Sequence, residues 1–111
     1  MDSDKLMHDL IVERIRIKVS GDYKEIRVNP EGDPDLVLSN HGLTLAAVEV
    51  ETERSITPER AEKWKEMAGS DCKLILMVPK SGKVKAMDLL WKHGIADRVG
   101  LGSYDIQIHL P

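Results

Sequence analysis

The sequence predicts an α/β domain, a mixed β-sheet flanked by helices in the order αβββαβαβ. Three observations carry this expectation. Apolar residues recur with helical spacing in three separate stretches: the N-terminus, the segment around ITPERAEKWKEMAG, and SGKVKAMDLLWKHG. Between the first two lie three strand-length runs, punctuated by the turn clusters NPEGDP and NHG. Strand and helix then alternate to the end of the chain, the rhythm of βαβ crossovers. At 111 residues, with 41% apolar and 32% charged side chains, residues 1–111 are expected to form one domain around a modest core.

Ser3 or Asp4 can cap a helix reaching to Lys18. Its residues Leu6, Met7, Leu10, Ile11, Ile15 and Ile17 sweep half of the cylinder, as in a helix packed on a sheet, with Glu13 on the rim. YKEIRV alternates as a short strand. DLVLS and LTLAAVEVE read as the arms of a hairpin turning at NHG. The second helix has strong punctuation: Thr57 as N-cap, Pro58 in its first turn, and Gly69 as the stop, with Ala61, Trp64 and Ala68 inward. KLILMVP is nearly all apolar and is expected in the middle of the sheet. On the third helix Val84, Met87, Leu90 and Trp91 form the expected inward side, and SYDIQIHL alternates as a closing strand.

No apolar run approaches the roughly 20 residues of a membrane span, and the N-terminus MDSDKLMHDL lacks the pattern of a secretory signal. A cytoplasmic location is the expectation. Cys72 is the only cysteine, which excludes an intrachain disulfide or a cysteine-rich zinc cluster; it is expected to be a small, half-buried residue. The net charge of −3 argues against a simple electrostatic nucleic-acid binder. The charge is unevenly spread, however: residues 1–57 carry 12 acidic and 7 basic side chains and residues 58–111 carry 7 and 9, so a locally basic surface remains open.

The chemistry concentrates in the hairpin. Successive strand side chains alternate between faces, so Glu49 and Glu51 project together with Ala47, while Val48 and Val50 face the other way. Reflection about the NHG turn brings Asp35, behind Pro34, level with Glu49. Carboxylates brought so close repel unless a cation shares the site, and oxygen ligands of this kind suit Mg²⁺ or Mn²⁺.

Pro34-Asp35 followed by the hydrophobic hairpin and Glu49-Val50-Glu51 resembles the active-site signature of the PD-(D/E)XK nuclease superfamily, with its restriction-endonuclease-like fold. The resemblance covers most of the chain. It implies a metal-dependent phosphodiesterase acting on nucleic acid, DNA before RNA, with Asp35 and Glu49 as metal ligands, the Val50 carbonyl as a further ligand and Glu13 of the first helix in support. Glu51 stands where the motif usually has lysine, and would orient or deprotonate water. A lysine from the next helix could supply the missing cation, Lys65 first and Lys63 second. So small a chain would act as a homodimer or through an accessory partner. A catalytically inactive module of the same fold is the alternative; an unrelated domain with decorative strand carboxylates would hold Asp35 and Glu49 far apart.

No role is expected for His8, His41, His93 or His109, which share no metal-ligand spacing. Trp64 and Trp91 are expected in the core.

Overall fold

The structure, a computed structural model, describes residues 3–69 and 71–106. The elements run α1 (Ser3–Val19), β1 (Glu25–Val28), β2 (Leu36–Asn40), β3 (Leu43–Val50), α2 (Pro58–Ala68), β4 (Lys73–Pro79), a 3₁₀ turn (Lys80–Gly82), α3 (Lys83–Lys92) and β5 (Val99–Tyr104). This order differs from the expected αβββαβαβ by the 3₁₀ turn, which forms where the chain leaves β4 after Pro79.

The five strands form one mixed sheet in the order β1-β2-β3-β4-β5. β1, β2 and β3 pair antiparallel, while β3, β4 and β5 pair parallel through the crossovers α2 and α3. One face buries Ala47, Leu74, Leu76 and Val78 against Trp64, Ala86 and Leu90 of α2 and α3. The other buries Leu36, Leu38, Val48 and Val50 against Ile11 and Val12 of α1. Every strand alternation in β3 follows from this: odd positions from Ala47 face α2, even positions face α1.

The β2–β3 hairpin turns on two residues, His41 (φ 53°) and Gly42 (φ 77°), a geometry that suits the right-handed twist of the arms and puts a non-glycine in the left-handed region. A bulge interrupts the ladder: Ser39 pairs with Thr44 but Leu38 with Ala46, so Leu45 is the extra residue. Beyond it Leu36 pairs with Val48, which carries Asp35 opposite Glu49.

Three expectations are corrected. On α1 the buried residues are Ile11 and Val12, with Ile15 and Val19 packed beside them; Leu6, Leu10 and Ile17 are each more than half exposed. The helix carries two apolar stripes on opposite sides, and the one with His8, Ile11, Val12, Ile15 and Val19 at its centre meets the sheet. On α3 the inward side is Ala86, Leu89 and Leu90, whereas Val84 and Trp91 are 84% and 71% exposed. The last strand begins earlier than expected, at Val99, and SYDIQIHL contributes only Ser103 and Tyr104 to it; residues 107–110 of that expected strand lie outside the described residues. Its two glycines hid it from propensity. They allow a close approach, since a Cβ on Gly102 would lie 2.5 Å from Met77 Sδ.

Candidate metal and carboxylate site

The site lies where the ends of β2 and β3 meet the first turn of α2. Glu49 and Glu51 point toward α2 as the strand alternation requires, and both are essentially fully buried, as is Asp35. Asp33, Asp35 and Glu49 each offer a carboxylate oxygen within 4.8 Å of the others. Backbone hydrogen bonds fix this proximity: Asp35 N–H donates to Glu49 Oε1 at 3.1 Å, and Val50 N–H donates to Asp35 Oδ2 at 2.8 Å. The expected juxtaposition of Asp35 and Glu49 is therefore present, and the arrangement with the two far apart is not.

Arg60 supplies the cation. Thr57 caps α2 by accepting from Arg60 N–H at 3.1 Å, which places Arg60 in the first helical turn. Side chains on a helix lean toward its N-terminus, so the guanidinium reaches over the end of β3. There Nη1 and Nη2 donate to Asp33 at 3.2 and 2.7 Å, Nη2 also donates to Glu49, and Nε donates to Glu51 at 2.8 Å. Lys65 lies five residues on, about 7.5 Å along the axis and about 140° around it. It is exposed and does not enter the cluster. Lys63 comes closer, helping to keep the Asp33 carboxyl ionised, though its side chain pairs with Glu66.

Glu51 shares the face of Glu49 but has a different setting. Its Oε1 accepts from Ser55 Oγ at 2.7 Å, and its Oε2 accepts from Trp64 Nε1 at 2.7 Å as well as from Arg60. With both oxygens engaged by neighbours on its own side of the sheet, Glu51 is an anchor for Arg60. It lies outside the trio of converging carboxylates. Trp64 is buried as expected, and its indole N–H has this second use.

The residue that α1 contributes is His8. Its Nε2 lies 3.1 Å from Asp35 Oδ2 and its Nδ1 3.0 Å from Asp9. The hydrogen bond to Asp35, aided by Asp9 and opposed by partial burial, raises His8 to about 9. Its Nε2–H thus donates to Asp35 at neutral pH. Glu13 lies about 140° around the helix from His8; it is exposed and pairs with Arg16. It lines a cavity of about 250 Å³ together with His8 and Asp35, yet stands outside the trio of converging carboxylates. Asp33 and Arg60 escaped notice too. Asp33 sits in the sequence Gly32-Asp33-Pro34-Asp35, where an extra carboxylate beside the motif could have been weighed; Arg60 could have been found from its place three residues past the Thr57 cap.

One guanidinium faces three carboxylates. Burial first, then Asp33 and Asp35, hold the Glu49 carboxyl far above the usual carboxylate range, so Glu49 keeps a proton at neutral pH, while Arg60 lowers Asp33. A proton shared among carboxylates is what a hard cation would displace. Val50 is buried in β3, its N–H oriented by Asp35.

Three cavities adjoin the cluster and share walls. One of about 250 Å³ is lined by His8 and Asp35, a second of about 350 Å³ by His8, Glu51 and Arg60, and a third of about 460 Å³ opens past Asp4 and Thr52, which it shares with the second. The first two share Lys5 and His8, and the last two share Asp4 and Thr52. No family model matches the chain, and neither does any curated protein or solved structure.

Proposed function

We propose that this chain is a metal-dependent nuclease that hydrolyses phosphodiester bonds, DNA before RNA, on a restriction-endonuclease-like core of the PD-(D/E)XK type. The observation that carries the reading is the convergence of Asp33, Asp35 and Glu49 within 4.8 Å, with Asp35 lining an adjoining cavity. An all-carboxylate donor set around a proton-bearing Glu49 fits Mg²⁺ or Mn²⁺. When bound, such an ion activates water and neutralises charge growing on the phosphate.

The chain's own residues do the rest. Asp35 and Glu49 would hold the ion, with Asp33 and the Val50 carbonyl as further oxygen donors. His8 and the Val50 N–H fix the orientation of Asp35. Arg60 takes the part of the motif lysine: it lies against Glu49 and can turn toward a non-bridging phosphate oxygen, matching its planar fork to the anion. Glu51, itself held by Ser55 and Trp64, accepts from Arg60 Nε and anchors it. Water adds to phosphorus and gives up a proton to solvent, the P–O bond to the leaving oxygen breaks, and that oxygen takes up a proton from solvent. A homodimer would present two such sites to two strands; delivery by an accessory protein is the other arrangement.

The second reading, an inactive module that binds nucleic acid or protein, is favoured by Arg60 itself. The guanidinium already supplies counter-charge to the cluster, and among the described residues no buried side-chain polar atom lacks a hydrogen bond. The test is cleavage of plasmid and single-stranded DNA with Mn²⁺ by wild type and Glu49→Gln. The nuclease reading expects loss of cleavage in Glu49→Gln; equal activity in both removes catalysis from this cluster.

A further inference from the structure

The third cavity, about 460 Å³, lies at the carboxyl ends of β3, β4 and β5, where open α/β sheets present crevices to ligands. It joins the carboxylate site structurally: Thr52 follows Glu51, and Tyr104 Oη donates to the Glu51 carbonyl at 2.7 Å. Its composition is unusual for a surface fold. Arg54 and Lys80 stand at its wall, both exposed, and among the described residues neither pairs with a carboxylate. Met7, Ile106 and the Tyr104 ring supply apolar surface. Three carboxylates share the lining with these two cations: Asp4 accepts from Thr52 Oγ1 at 2.7 Å, Glu53 accepts from Ser81 Oγ at 2.5 Å, and Asp105 stands beside Ile106, so acceptors face the same space.

Cations without partners, apolar walls and fixed acceptors match three parts of one ligand: phosphate, base face and the amino edge of a base. Resting on the nuclease reading for the neighbouring site, we infer that the crevice receives an unpaired nucleotide next to the scissile phosphate, with Arg54 and Lys80 on the flanking phosphates. The single strand then runs from His8, past Arg60, into the crevice. A base inside a duplex could not enter, so the substrate is single-stranded or contains an unpaired nucleotide.

The experiment is fluorescence anisotropy of a fluorescein-labelled single-stranded 12-mer DNA and its blunt duplex, without divalent metal, for wild type and the Arg54→Ala/Lys80→Ala double variant. The single strand is expected to bind about tenfold more tightly than the duplex. The double variant, folded by circular dichroism, should lose about tenfold in single-strand affinity and flatten the salt dependence by about 1.4 in log–log slope, the share of two phosphate contacts on a single strand. Duplex binding as tight as single-strand binding, or an unchanged affinity and slope in the double variant, overturns the inference. Because metal is absent, failure of Glu49→Gln to alter cleavage leaves this result standing. Conversely, metal-dependent cleavage lost in Glu49→Gln alongside unchanged binding by the double variant sinks the crevice alone.

Discussion

Replacing Arg60 with methionine keeps much of the side chain's length and packing while removing the charge that Asp33, Glu49 and Glu51 share. Removing one partner of a buried ion pair costs about 3–5 kcal/mol. Two features reduce that figure here. The Arg60 side chain is 26% exposed and Asp33 36%, so water recovers part of the loss, and Glu49 already keeps a proton and needs less compensation. Glu51 still has Ser55 and Trp64. The net expectation is about 2–3 kcal/mol, which for a domain of this size lowers the melting temperature by roughly 10–20 °C. Urea denaturation at pH 7 followed by tryptophan fluorescence measures it directly. Because Arg60 holds the Asp33 carboxyl below its ordinary range, that part of the deficit should fade only as pH falls below 3.8, and Mn²⁺ at about 100 times its Kd should return about 2.7 kcal/mol to the variant. A loss below about 0.5 kcal/mol would refute the view that this guanidinium neutralises the cluster.

Other perturbations separate the parts of the site. Because Glu49 keeps its proton at neutral pH, metal binding must expel it; Mn²⁺ affinity is therefore expected to rise by up to about tenfold per pH unit between pH 6 and 8, with proton release seen by calorimetry in two buffers of different ionisation enthalpy. Asp35→Ala should abolish saturable Mn²⁺ binding, and retention of binding would place the ion elsewhere. His8 is raised from 6.5 to about 9 in the folded protein, so its stabilising effect is complete below pH 6.5 and lost as pH rises through 9. His8→Ala should accordingly cost about 1 kcal/mol at pH 6, after allowance for solvent screening, and nothing measurable at pH 10; NMR titration of the imidazole gives the midpoint. Trp64→Phe keeps the buried ring but removes the indole donor to Glu51, with an expected cost of about 1–3 kcal/mol in urea denaturation.

The hairpin and the second helix were readable because their signals are local and redundant. NHG fixes the turn, strand alternation fixes the face, and the Thr57, Pro58 and Gly69 punctuation sets the bounds of α2. The approach of Asp35 to Glu49 was expected from reflection about the turn, but its register depends on the bulge at Leu45, which no local signal announces. What could not be read depends on choices made between elements. α1 offers two apolar stripes of similar quality, and only the shape of the sheet selects the one bearing His8 over the one bordered by Glu13. α3 buries small Ala86 against the sheet and leaves bulky Val84 and Trp91 outside, against the ranking by hydrophobicity. β5 spends two positions on glycine to admit Met77 and Lys73, so composition conceals it. The same limit applies to the cation: α2 carries three basic residues, Arg60, Lys63 and Lys65, and the selection of Arg60 depends on how α2 leans over β3.

The bulge at Leu45 gives the hairpin one residue of slack between its turn and its chemistry. An unbulged ladder from the turn would set Leu38 against Leu45 and Asp35 against Val48. Excision of Leu45 would straighten the arm and still leave Asp35 across from Glu49. Insertion of a residue there has no such reserve, and would push Glu49 one place along and over to the α1 face. This loop should therefore tolerate shortening far better than lengthening, the reverse of ordinary surface turns.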